Sequence, residues 1–203
     1  LHLPRLPGDD ELEPWLARFH DEITARQPAS RHVAIGSTAE YRGEQRPRWQ
    51  AAGFELVVQQ MLQLPPNGLR EPARRTRGAV RLRALDLAVD GDALIEVEMT
   101  DAEGFEPAGY RAYLRDQHRR YRAMQPAGLL QWFGVECDGG LAATCGLIRD
   151  RAEAGADGRF QRVVTHAAWR RRGLASALVH GVCRFAAERW QVVLVLALVV
   201  ALA

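Results

Sequence analysis

Apolar positions recur along this chain with two different periods, and the switches between them mark out its elements. Leu12, Leu16, Phe19 and Ile23 stand at helical spacing, which predicts an amphipathic helix ending at Pro28. It starts between Asp10 and Pro14, either with Asp10 and Glu13 as a capping pair or with Pro14 at the first helical position. A short apolar strand is predicted over 32–36, a helical turn over 49–52 stopped by Gly53, and a longer strand over 54–64 closed by Pro65 and Pro66. Residues 65–78, Pro-Pro-Asn-Gly and then arginines at 70, 74, 75 and 77, read as a linker.

A fresh unit follows. Val80, Leu82 and Ala84 alternate with Arg81 and Arg83, the period of a strand. The stretch 91–102 fits either period: Leu94, Val97 and Glu98 suit a helix, while Ile95, Val97 and Met99 alternate; helix is the reading taken. A helix over 109–124 carries Tyr110, Tyr113, Leu114, Tyr121 and Met124 on one face, expected to be core rather than a ligand box. Strands over 131–137 and 141–148 are joined by Asp138-Gly139-Gly140, a hairpin signal. A polar loop over 149–158 leads to a strand over 160–165, a basic turn, and a helix from Gly173 to about Arg189. That helix has Leu174, Leu178, Val182 and Phe185 on its apolar face and Ser176, His180, Arg184 and Glu188 on its polar one. Another strand starts at Val192. The order predicts a mixed α/β domain in which an antiparallel meander feeds a strand–helix–strand crossover.

Composition changes this picture in a few places. With 47% hydrophobic and 26% charged residues the chain supports a sizeable core, and a net charge of +2 gives no electrostatic footprint for nucleic acid. All 27 basic residues are arginine, so no lysine is present to act as base or Schiff-base nucleophile. The linker arginines are read as solvated, and the lack of interleaved aromatics argues against nucleic-acid binding. Cys137, Cys145 and Cys183 form no Cys-x-x-Cys pair and are expected to be buried thiols of a cytoplasmic protein. Residues 192–203 contain only valine, leucine and alanine, a run too short to span a bilayer as a helix, so no membrane partner is expected. The first residue is leucine, and the chain is expected to lack its natural beginning.

The chemistry concentrates in Val163-Val164-Thr165-His166-Ala167-Ala168-Trp169-Arg170-Arg171-Arg172-Gly173-Leu174-Ala175. A strand end, a basic turn with a glycine and a helix start bring N–H donors and a favourable dipole together, which suits a phosphate group. Arg170 to Ala175 matches the pattern Arg/Gln-x-x-Gly-x-Gly/Ala. In its context of hairpin, strand, helix and strand over residues 79–199, it resembles the acetyl-CoA motif of the GNAT superfamily of N-acetyltransferases.

That resemblance implies a mostly antiparallel central sheet with flanking helices and a splayed strand–helix cofactor site. It implies acetyl-CoA as co-substrate, held by Val163, Val164, Thr165, Arg170, Arg171, Arg172, Gly173, Leu174, Ala175 and Ser176. The pyrophosphate would lie on Arg170–Ala175, and a backbone N–H near Val164 would serve the thioester oxygen. The implied reaction is direct transfer of acetyl to a primary amine of a small molecule or protein; a non-catalytic CoA-binding module of the same fold is the alternative. The catalytic residues stay unassigned. Some members carry a glutamate in the strand before the motif, where this chain has Gln161 and Val164. Glu136, Glu106 and His166 are candidate substitutes as proton acceptor.

Residues 33–64 resemble the closing half of the same fold. Trp49 stands where members often have a tyrosine acid, and the stretch has no motif of its own. The expected organisation is therefore a degenerate GNAT-like unit over 1–66, a linker over 67–78 and an acetyl-CoA-binding domain over 79–203, incomplete from 192. Two arrangements fit: a tandem protein truncated at both ends, which is preferred, or a permuted single domain. A homodimer is also expected.

Overall fold

A computed structural model of the chain describes residues 2–28, 32–37, 39–64, 68–72, 76, 80–149, 157–190 and 193–200. The chain separates into two compact units, one comprising 1–60 with 199–203 and the other 61–198.

In the first unit, β1 (His2–Leu3) pairs in parallel with β2 (Gly36–Ser37). A 3-10 turn, Asp9–Glu11, runs into α1 (Leu12–Phe19), which continues as a π-helical stretch to Thr24. The helix entry is capped two residues earlier than the Asp10–Glu13 pair predicted, by Gly8 and Glu11. The Glu11 carboxylate accepts the Gly8 N–H at 2.6 Å and is itself gripped by Arg5. These two donors hold the Glu11 pKa down to about 2. The predicted strand over 32–36 narrows to Gly36–Ser37, and the strand predicted from Phe54 begins only at Val58. The helical turn is α2 (Pro47–Ala51), and Gly53 follows at φ +85°, the left-handed conformation glycine adopts without strain. Trp49 is buried, donates Nε1–H to the Gly8 carbonyl at 3.0 Å and packs edge-on against Phe54. Its indole is therefore structural.

The second unit is built on a six-stranded sheet of order β3-β8-β7-β6-β5-β4. The strands are β3 (Val58–Leu64, beginning in the first unit), β4 (Arg81–Leu85), β5 (Leu130–Cys137), β6 (Gly140–Arg149), β7 (Asp157–Thr165) and β8 (Val193–Val200). The predicted linker lies partly outside the described residues, as do Arg74, Arg75 and Arg77. β4 to β7 form an antiparallel meander, and β8 runs parallel to β7 after the crossover through α5 (Leu174–Phe185). The β5–β6 turn has Asp138 at φ +50° and Gly139 at φ +80°, the two left-handed residues a tight hairpin needs.

The two faces of β5 explain the layers. Phe133, Val135 and Cys137 point to one side, where they meet Leu174, Leu178, Val182, Cys183 and Ala186 of the α5 segment. Leu130 and Trp132 point to the other, where they meet Leu94 of α3 (Gly91–Met99) and Tyr121 and Met124 of α4 (Pro107–Met124). The ambiguous stretch is thus a helix. The period-two alternation of β5 commits one face to each helical layer.

All three cysteines are buried free thiols. Burial pushes the Cys183 pKa up to about 11 and that of Cys145 higher still, so neither is a nucleophile at neutral pH. Among the described residues, no helix is long and apolar enough to cross a membrane.

Gly146 marks a point where backbone and ring approach closely. A Cβ there would meet Trp132 Cε3 at 2.7 Å, and Trp132 is fully buried with no room to withdraw. Gly146→Ala is expected to lower stability by about 1–3 kcal/mol, seen as a lower urea midpoint with unchanged m value.

Candidate functional site

The site begins where the β7 ladder changes. Against β6, Thr144 pairs with Val164 and Gly146 with Gln161, so Arg162 and Val163 stand opposite the single residue Cys145. This is a β-bulge, with Arg162 at φ +46°. Against β8, the register covers only Asp157–Arg159 with Val193–Val195. Beyond Arg159 the described residues of β7 and β8 form no further pairs, so one edge of β7 opens just before the basic turn.

The available backbone groups on that edge follow from alternation. His166 N–H bonds the Ala142 carbonyl at 2.9 Å, so the next residue back, Thr165, presents its backbone groups away from β6. Its carbonyl is taken by Arg170 Nε at 3.1 Å, while its N–H meets no acceptor among the described residues. Val164 itself turns its side chain into the core, and Val163 is exposed.

The turn is braced from α3. Thr100 Oγ accepts the Ala167 N–H at 3.2 Å, and Arg170 Nη2 reaches Asp101 at 2.9 Å. Arg170 is thereby a strut across the turn. Arg172 lies over the Trp169 ring at 4.6 Å, which orients its charge. Arg171 at φ +66° and Gly173 at φ +81° fold the backbone into a concave run. Among the described residues, the N–H groups of Arg171, Arg172 and Gly173 meet no acceptor. Those of Leu174, Ala175 and Ser176 are the first three of α5 and have none within the helix. Arg171, Arg172, Ala175 and Ser176 are exposed, whereas the Leu174 side chain is core and offers only its backbone. Of the predicted binding residues, Thr165 and Arg171–Ser176 present main-chain donors along one edge and turn, while Val164 faces the core and Arg170, its N–H on the Ala167 carbonyl, braces the turn.

The three candidate proton acceptors are otherwise engaged. Glu136 is ion-paired with Arg83 at 2.5 Å. His166 Nδ1 accepts the Ala168 N–H at 3.2 Å, capping the 3-10 turn Ala167–Trp169. Glu106 caps α4, accepting the Ala108 and Gly109 N–H groups at 2.8 and 2.6 Å, and these bonds hold its carboxyl below the usual range.

A further cluster stands behind the bulge. Glu98 of α3 is fully buried; its Oε2 accepts Arg162 Nε–H at 2.8 Å and lies 3.1 Å from His118 Nε2 of α4. Arg162 Nη2 donates to the Tyr110 hydroxyl at 2.7 Å. Burial works against charge on Arg162, but the Glu98 charge and the Tyr110 hydroxyl outweigh it and hold the guanidinium pKa above its ordinary value. Arg162 and Tyr110 also line a cavity of about 490 Å³ with Phe105, Glu106, Gly109 and Tyr113. The aromatic face of α4 is thus divided: Leu114 and Tyr121 serve the core, while Tyr110 and Tyr113 line the cavity. Pattern reading missed Glu98, His118 and Arg162 as a unit. The available signal was His118, four residues after Leu114 and so on the apolar face, where an imidazole needs a partner.

Comparison with known proteins gives the following. Residues 92–202, more than half of the chain, match the model of the Acetyltransferase (GNAT) family. No curated protein sequence matches the chain. Among solved structures, a functionally unknown conserved protein from Staphylococcus epidermidis ATCC 12228 is 12% identical, with a TM-score of 0.66 over 98% of this chain and 73% of its own. That likeness is one of fold. A ribosomal-protein-alanine N-acetyltransferase from Brucella melitensis biovar Abortus 2308 is 20% identical over 58% of this chain and 79% of its own, with a TM-score of 0.41. A PaiA N-acetyltransferase from Thermoplasma acidophilum, in complex with coenzyme A, is 14% identical over 53% and 72%, with a TM-score of 0.43.

Proposed function

We propose, for a chain that belongs to the acetyltransferase (GNAT) family, that it transfers acetyl from acetyl-CoA to a primary amine, with the donor along the open edge of β7 and the turn into α5. The observation that carries this reading is the parting of β7 from β8 after Arg159, followed within one turn by the concave N–H run of Arg171–Ser176. Acetyl-CoA needs an extended partner for its amide-bearing arm and many donors for its pyrophosphate, and this segment offers both in the required order. When bound it supplies a thioester carbonyl, which the neutral amine attacks; a C–N bond forms, the C–S bond breaks, the amine gives up a proton and the sulfur leaves as thiol.

In this reading Thr165 N–H is the backbone donor nearest Val164 that is free to meet the carbonyl oxygen as charge develops there. Arg170 fixes the strand end by holding the Thr165 carbonyl and Asp101 together. Arg171 and Arg172 supply positive charge at the phosphates.

The N-terminal stretch reads as a degenerate GNAT-like closing half. It fits a tandem protein truncated at both ends or a permuted single domain.

Acetyl-CoA at about 100 times its Kd is expected to add about 2.7 kcal/mol of stability, a rise of roughly 5–10 °C in Tm. Thiol release against a panel of amines then reads turnover. No thermal shift overturns the acetyl-CoA reading; a shift without turnover of any amine points to the non-catalytic module.

A further inference from the structure

The cavity beside the bulge has a polarity that the transfer reaction alone does not require. One wall is Arg162, one residue before Val163 on the open edge of β7. The opposite charge is Glu106, at the start of α4. The same lining holds aromatic rings: Phe105 and Tyr110 lie nearly parallel with centroids 4.8 Å apart, and Tyr110 and Tyr113 follow at 6.1 Å and 18°. Phe105 is 60% exposed and Tyr113 48%, so two large apolar side chains stand in solvent at this mouth. Gly109 keeps the space beside the carboxylate clear, since a Cβ there would meet Glu106 Oε2 at 3.0 Å.

These charges sort the two ends of an acceptor. The guanidinium is donor-only and already paired with Glu98, so an ammonium finds no acceptor on it. Glu106 does the reverse. Its oxygens are fixed by two backbone donors, so the carboxylate persists and serves as counter-charge rather than as base. Aromatic faces add attraction for a cation.

We propose that this cavity is the acceptor site, and that it selects a small amine bearing a second, non-reacting cationic group held by Glu106 and the exposed ring of Tyr113, the Tyr110 ring being already taken by the Arg162 guanidinium at 5.9 Å. The inference rests on the acetyl-transfer reading for the reacting end, but the cation site itself is independent of turnover. Glu98 enters as a positioning residue, since it holds Arg162 and, through it, the Tyr110 hydroxyl.

Two measurements test it. With acetyl-CoA and thiol release as the readout, 1,4-diaminobutane is expected to exceed n-butylamine in kcat/KM by about tenfold, with 4-aminobutanoate poorest. Glu106→Gln, which keeps one capping oxygen, should erase the diamine preference; Tyr113→Leu, at the exposed rim, should weaken it. Separately, the unreactive butyltrimethylammonium ion is titrated into the chain, with the folding of each variant checked by Tm. It is expected to bind the parent and to bind Glu106→Gln about tenfold more weakly. Equal handling of the diamine and n-butylamine, preference for the carboxylate, or no loss of cation binding in Glu106→Gln overturns the proposal. If acetyl-CoA gives no thermal shift, the acetyl-transfer reading fails, and the cation titration still decides the cavity.

Discussion

Gly173→Glu is expected to abolish the acetyl-CoA-induced rise in Tm. Two effects act together. Gly173 sits at φ +81° as the residue before α5, a conformation that costs a side-chain-bearing residue about 1–2 kcal/mol. The new carboxylate would then lie among the N–H groups of Arg171–Ser176, filling the cradle with negative charge where phosphates must approach. A loss of more than about 100-fold in affinity is expected, about 2.7 kcal/mol, measurable by titration calorimetry. Gly173→Ala separates the effects: it keeps the strain, adds no charge, and should retain most of the binding. Undiminished binding by Gly173→Glu would place the cofactor elsewhere on the chain.

Glu98→Ala is expected to be among the most destabilising single changes in the second unit. Glu98 is fully buried, and its Oε2 serves both Arg162 and His118. Its removal leaves a guanidinium that is only 20% exposed without its counter-charge, at a cost of about 3–5 kcal/mol. Chemical denaturation measures this directly. Glu98→Gln keeps the volume and one acceptor and should cost less, and a double-mutant cycle with Arg162→Gln should return a coupling of about 0.5–3 kcal/mol. A cost below about 1 kcal/mol for Glu98→Ala would mean that Arg162 is held by the bulge alone. Because Arg162 also carries Tyr110, Glu98→Gln should alter KM for the amine more than KM for acetyl-CoA.

The second unit was more legible than the first for a physical reason. Its central strands β5 and β6 are long apolar runs buried on both faces, and the Asp138–Gly139 turn between them fixed their register locally. The apolar stripe of α5 was readable because Leu174, Leu178 and Val182 bury a single face. In the first unit the apolar run 32–36 yielded only the pair Gly36–Ser37, and residues 54–57 stayed outside β3. A short apolar run has no partner encoded in itself; whether it becomes a strand depends on what lies beside it.

The binding segment shows the same division. Its residue types and order were enough to mark Val163–Ser176 as the candidate segment, since glycine, basic turn and helix start are local chemistry. The sequence by itself determined the helices, the hairpin and the turn into α5, because each depends on neighbours a few residues apart. Only the tertiary structure decided that β7 parts from β8, that a bulge sets Arg162 opposite Cys145, and that Glu98, His118, Tyr110 and Arg162 meet. Those features join residues up to 64 positions apart, and no local period carries information about such a meeting.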